Sequence, residues 1–247
     1  MDYRFMNDLV INEIRSRMMG RIPSALFNAI GIDHPVRIAG NSCNVDTPHD
    51  IDVYPGSDSD EFGEDFRLRM NNISEVDVLS TTKNAITVRM KTFPYPVQFC
   101  SYRQPTLDQL INTFDFSHVQ VGVEVRHREP GILHYISDVK FTDNYMKYLL
   151  TRRSEYIHSE YPLSSLIRTF KYKERGYLDQ HACKAAVLSI LTDILKRGYA
   201  DYDDFKDQMD AIDLGLLDGD ECGELGCLAR KLFNQFVEYS GHAEKVE

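Results

Sequence analysis

The chain has 247 residues and a formal net charge of −10, with 43% hydrophobic and 27% charged residues, the composition of an ordinary globular protein long enough for one large core or two modest ones. An acidic balance of this size argues against a surface built for non-specific nucleic-acid binding and favours a small or narrowly gripped substrate. No run of about 18 apolar residues occurs, so a membrane span is not expected, and the polar start lacks the apolar stretch of a secretory signal.

Residues 5–19 read as an amphipathic helix, with Met6, Val10, Ile14 and Met18 four apart and Gly20 ending the run. A second short helix is expected from Pro23 to Ile30, stopping at Gly31. The period then changes. Val36 to Ala39 forms a short strand running into Gly40, Asn41 and Ser42, and His49 to Tyr54 alternates polar and apolar before Pro55 and Gly56 break it. That alternation puts Asp50 and Asp52 on one face and Ile51 and Val53 on the other. An acidic stretch from Asp58 to Asp65 overlaps a helix expected over 61–71 through Phe62, Phe66 and Met70.

A hairpin is expected from 76–80 and 85–91 around Thr82, Lys83 and Asn84, followed by a strand at Val97 to Cys100. Thr106 is placed to cap a short helix ending at Asn112. Val119, Val121, Val123 and Val125 alternate with polar or small residues as a strand, and Ile132 to Ile136 is its expected partner. From about Tyr145 the strand signals stop. Val187, Ile190, Leu191, Ile194 and Leu195 form one helical stripe, and Leu225, Leu228, Leu232 and Phe236 another. The fold class read from this order is α/β (α+β), a mixed-sheet core over residues 1–144 followed by an all-helical domain over 145–247.

Chemistry concentrates at one place. A strand ending in small residues lets backbone amides approach phosphate oxygens. Two carboxylates on one face of the next strand suit hard divalent cations, and such ions clamp the attacking and leaving oxygens of an in-line phosphoryl displacement. Asp-x-Asp pairs are also common in solvated loops. The buried back face expected from Ile51 and Val53 makes this strand a poor place for idle paired charge.

The stretch from Val36 to Pro55, VRIAGNSCNVDTPHDIDVYP, resembles the signature of the DNA polymerase beta-like nucleotidyltransferase superfamily: a hydrophobic strand, glycine followed by serine or glycine, a spacer, then Asp-hydrophobic-Asp-hydrophobic. The segments 96–100, 113–121 and 161–176 are similar to parts of uncharacterised viral and phage members, so the resemblance spans residues 36 to 176. It implies a metal-dependent transfer of a nucleoside monophosphate from a nucleoside triphosphate to a hydroxyl, releasing pyrophosphate. Asp50 and Asp52 would hold Mg²⁺ or Mn²⁺, and Gly40, Asn41 and Ser42 would hold the phosphates. Asp115 would complete the metal site or act as general base, and Lys171 and Arg175 would neutralise the triphosphate.

Two departures stand out. Asn41 intervenes where the family has Gly-Ser or Gly-Gly. By chain order, the family's third carboxylate falls on the strand at 97–99, where this chain has Gln98; Asp115, just ahead of a strong strand, is the substitute, or else a turn residue. Lys171 and Arg175, with Arg168 and Lys173, also fit a solvated basic helix face.

Other motifs fail. Asp218 to Gly223 begins like a calcium loop, but Cys222 replaces an oxygen ligand and Ala229 stands where a bidentate glutamate belongs. His181 and Cys183 lack partners for zinc. The five cysteines, Cys43, Cys100, Cys183, Cys222 and Cys227, are scattered and form no Cys-x-x-Cys pair, which reads as reduced thiols in a cytoplasmic protein. The acceptor (an RNA or tRNA end, a small molecule or a protein hydroxyl), the nucleotide and the oligomeric state stay open. So does a non-catalytic module with a degenerate site, and a toxin-like enzyme acting on host tRNA or protein.

Overall fold

A computed structural model describes residues 3–44, 48–56, 62–82, 84–127, 134–198, 204 and 208. It divides into two compact units, Met1–Arg152 and Arg153–Glu247. The calcium-like loop at 218–229, the stripe from Leu225 to Phe236, and Cys222 and Cys227 lie outside the described residues.

The first unit opens with α1 (Tyr3–Met19) and α2 (Ser24–Ile30). Gly31 ends α2 in the left-handed region at φ 72°, returning its amide to the last turn. The sheet elements follow: β1 (Val36–Ala39), β2 (Ile51–Pro55), β3 (Val76–Thr81), β4 (Ala85–Met90), β5 (Val97–Cys100), β6 (Val121–His127) and β7 (His134–Phe141). Between them lie α3 (Asn41–Asn44), α4 (Glu64–Met70), α5 (Leu107–Asn112) and a 3-10 turn at Ser117–Val119, and α6 (Asp143–Thr151) follows β7. The strands form one seven-stranded sheet in the order β3-β4-β5-β2-β1-β6-β7. Only β2 and β5 run parallel; the other neighbours are antiparallel. The fold class is the mixed α/β one expected.

Alternation assigns the two faces. Ile38, Ile51, Val53, Val97 and Phe99 are fully buried. The Phe99 ring is boxed by Phe27 from α2, Phe66 from α4 and Phe62 just before it, with centroids 5.0–6.3 Å away. On the opposite face α5 packs Leu107, Leu110 and Ile111 against Ala39, with Tyr54, Tyr102 and Phe114 around them. Thr106 caps α5, accepting the Gln109 amide at 3.1 Å. The strand expected from Val119 begins at Val121, because Ser117–Val119 turns as a 3-10 segment. Its partner β7 runs on to Phe141, past the expected end at Ile136.

The second unit holds α7 (Pro162–Glu174) and α8 (Gln180–Arg197), the latter capped by Asp179, which accepts the Ala182 amide at 2.8 Å. Within α8 the buried stripe is Cys183, Ala186 and Ile190. Leu191 and Leu195, expected in the apolar stripe, are exposed, Leu195 at 83%. Among the described residues no helix is long and apolar enough to cross a membrane.

Candidate functional site

The site is built where β1 ends beside the start of β2. Gly40 follows β1 at φ 87°, a conformation glycine adopts without strain. A Cβ there would stand 3.8 Å from Asp52 Oδ2 and 3.9 Å from the Phe114 ring, so the turn lies against the carboxylate. The Gly40 amide does not point at an incoming ligand: it donates to the Val121 carbonyl at 2.9 Å. Its contribution is the turn. Asn41 and Ser42 begin α3, and Asn41 Oδ1 and Ser42 Oγ are buried without a hydrogen-bond partner. Ser42 Oγ also acts on the adjacent Cys43 thiol. Burial pushes that thiol up to about 12, against smaller lowering by Ser42 and Arg21.

Two arginines of the α1 end hold this turn from behind. The Arg21 guanidinium, 7% exposed, donates to the Ser42 carbonyl at 2.6 Å. Arg17 donates to the carbonyls of Cys43 at 3.2 Å and Asn44 at 2.9 Å. Arg37 does similar work at the far end of β1, donating to the carbonyls of Gly56 and Pro105 at 2.9 Å and so fixing the approach to α5. None of the three was singled out by the sequence. Arg17 lies in the last turn of α1 and Arg21 just past its end, and nothing in a sequence marks the carbonyls they bind.

Asp52 lies on β2 between the buried Ile51 and Val53, and Asp50 immediately precedes the strand. The half-buried Cys100 thiol reports where the carboxylates stand. Its pKa is raised well above the usual value, first by desolvation and then by the charge of Asp52. Asp50 adds to the rise, and a Tyr54 hydrogen bond opposes it. β2 and β5 are neighbouring strands, which sets Asp52 beside β5. Gln98 on β5 is the register partner of Asp52. Its amide nitrogen donates to Thr87 Oγ1 on β4 at 3.1 Å, and its Oε1 lies 3.8 Å from the Cys100 Sγ.

Asp115 is 5% exposed, buried and partnered, in the turn between α5 and the 3-10 segment. Lys171 lies on α7 of the second unit, and Arg175 is the residue that ends that helix, its amide donating to the Lys171 carbonyl at 3.1 Å. Both are half-buried, and positive charge there also suits a helix C-terminus.

Magnesium commonly keeps several waters and is held by one or two carboxylates plus substrate phosphates. Asp50 and Asp52 fit the carboxylate part of that donor set. Among the described residues, no three His, Cys, Asp or Glu side chains form a group that could hold a metal ion. What stands at β2 and β5 is a carboxylate pair with a neutral amide beside it.

No family model and no curated protein matches the sequence. Similar solved structures include a CCA-adding enzyme in an apo form, at 11% identity and a TM-score of 0.47, covering 90% of this chain and 55% of that one. A CCA-adding enzyme with CTP matches at 12% identity and 0.43, over 96% and 51%. A tRNA-processing enzyme in an apo form matches at 12% identity and 0.43, over 69% and 49%. This chain spans about half the length of the solved chains it matches.

Proposed function

We propose that the chain is a metal-dependent nucleotidyltransferase that moves a nucleoside monophosphate from a nucleoside triphosphate to a hydroxyl acceptor. The observation that carries this reading is the juxtaposition at the first strand pair. The Gly40 turn lies beside Asp52, Asn41 Oδ1 is buried without a hydrogen-bond partner, and Asp50 and Asp52 share one end of a strand with a buried back. Buried polar atoms are rarely left unpaired, so a ligand bearing donors or bridging ions is the natural complement. The resemblance of residues 36 to 55 to the nucleotidyltransferase signature supports the same reading.

In the proposed reaction the acceptor oxygen attacks the α-phosphorus and forms the new P–O bond. The bond from that phosphorus to the bridging oxygen breaks, and pyrophosphate leaves with the electron pair. The hydroxyl proton passes to Asp115 acting as general base, or to solvent. A divalent cation bound by Asp50 and Asp52 would neutralise charge on the phosphate oxygens and orient them. Asn41 and Ser42 position the triphosphate. Lys171 and Arg175 are assigned to its charge on their sequence positions alone. The acceptor is an RNA or tRNA end, a small molecule or a protein hydroxyl.

The rival reading, a degenerate module that binds nucleotide or protein without turnover, is favoured by one observation, the amide of Gln98 beside Asp52. Transfer of label from each α-³²P-labelled nucleotide onto total RNA, total protein and small metabolites separates the two. With Mg²⁺ or Mn²⁺, wild type labels one acceptor fraction and Asp52→Asn labels none. Equal labelling by both proteins removes the assignment of Asp52.

A further inference from the structure

We propose that this site holds one divalent cation per chain rather than two, and that Gln98 sets that number. The inference rests on the reading of Asp50 and Asp52 as metal ligands and adds to it what stands beside them.

Asp52 and Gln98 are register partners on the one parallel strand pair of the sheet. Adjacent strands lie about 4.8 Å apart and partner side chains share a face, so Gln98 occupies the nearest lateral position to Asp52. A two-ion centre needs oxygen ligands on both sides of a metal separation of about 3.5–4 Å. On the β5 side the group available is an amide, and hydrogen bonds orient it. Its NH₂ end is turned across the sheet to Thr87 Oγ1 at 3.1 Å. Its carbonyl end faces the Cys100 Sγ at 3.8 Å and accepts from that thiol. A cation placed there would meet a neutral amide already committed to β4.

Charge points the same way. Asp50 and Asp52 together carry the charge that balances one divalent ion. Gln98, Thr87 and Cys100 add none, so a second ion on the β5 side would rest on the phosphate oxygens of the nucleotide alone. The three neutral groups make one hydrogen-bonded row from β4 to β5, which is more than the loss of a single carboxylate. It is a local arrangement suited to an uncharged neighbour for Asp52.

The test counts Mn²⁺ on the full chain with a non-hydrolysable α,β-methylene triphosphate, using equilibrium dialysis for stoichiometry and electron paramagnetic resonance for the spectrum. Wild type retains one Mn²⁺ per chain with the spectrum of an isolated ion, and Asp52→Asn retains none. Gln98→Glu keeps the shape of the side chain, and the Thr87 hydroxyl can turn to donate to the new carboxylate. This variant retains two ions and shows the exchange-coupled spectrum of a close pair. A coupled pair in wild type overturns the proposal while leaving Asp50 and Asp52 as ligands. A folded Gln98→Glu that still holds one ion also overturns it. No bound ion in wild type removes both the proposal and the metal reading beneath it. If Gln98→Glu does not fold, the wild-type count decides alone.

Discussion

His118 sits fully buried at the 3-10 turn, its ring 6.1 Å from Phe116 and 5.8 Å from Tyr148. Burial lowers its pKa from 6.5 to about 3, so it is neutral in the fold well below pH 6.5. Unfolding lets it take a proton once the pH falls below about 6.5. The unfolded state then binds more protons, and stability drops as the pH falls through that window by about 1.4 kcal/mol per pH unit from this one group. His134, lowered mainly by desolvation, acts in the same direction. Urea titrations at pH 7.5, 6.5 and 5.5 should show wild type losing stability faster than His118→Phe, whose ring keeps the aromatic contacts and cannot titrate. Parallel losses would assign the pH dependence elsewhere. At this scale the sequence was informative where periodicity speaks and silent where it does not. Alternation put Asp50 and Asp52 opposite Ile51 and Val53. The roles of Arg17, Arg21 and Arg37 depend on backbone carbonyls that no residue code announces. The Gly40 amide, expected to face phosphate, is spent on Val121, because β6 pairs with β1 up to that turn.

Among the elements, the junction of α5 with β1 and β6 is tightly packed. A Cβ on Gly122 would stand 2.9 Å from Ala39 Cβ, 2.9 Å from Leu107 Cδ1 and 3.2 Å from Ile111 Cγ2. Gly122→Ala should therefore destabilise the fold by about 1–3 kcal/mol through overpacking, seen as a lowered thermal midpoint. An unchanged or raised midpoint would mean that α5 moves away freely. The strand containing Gly122 was legible because its valines alternate, yet its start was not. Val119 keeps the alternation while the backbone turns, and period alone cannot separate the two. β7 outran its expected end because Ser137, Asp138 and Lys140 give its second half a half-exposed, polar look. The error on α8 has a different cause. Its buried side is made of small residues, Cys183 and Ala186, ahead of Ile190. The facing α7 also buries small ones, Ser164, Ser165 and Thr169, with Thr169 Oγ1 donating to the Ser165 carbonyl at 2.8 Å. Hydrophobicity points to the large leucines; close packing selected the small side chains.

For the whole molecule, the net charge of −10 and a local pair of carboxylates set a clear electrostatic problem. A triphosphate brings more negative charge to a negative site, and only a cation makes that approach favourable. Binding of nucleotide should therefore depend on metal as strictly as on the protein. In the proposed reading the work is distributed: α1 anchors the turn, β1 and β2 carry it, and β5 supplies a neutral side. The order of elements was readable from 3.6- and 2-residue periods. The pairing of β2 with β5 was not, since a parallel neighbour leaves no mark in either strand alone. The measurement that bears most directly on the account is calorimetric titration of nucleoside triphosphate into wild type and into Asp50→Asn/Asp52→Asn, with Mg²⁺ and with a chelator. Wild type should bind with Mg²⁺ and lose that binding in the chelator, and the double variant should bind under neither condition. Binding of equal strength with and without metal, retained by the double variant, would contradict it.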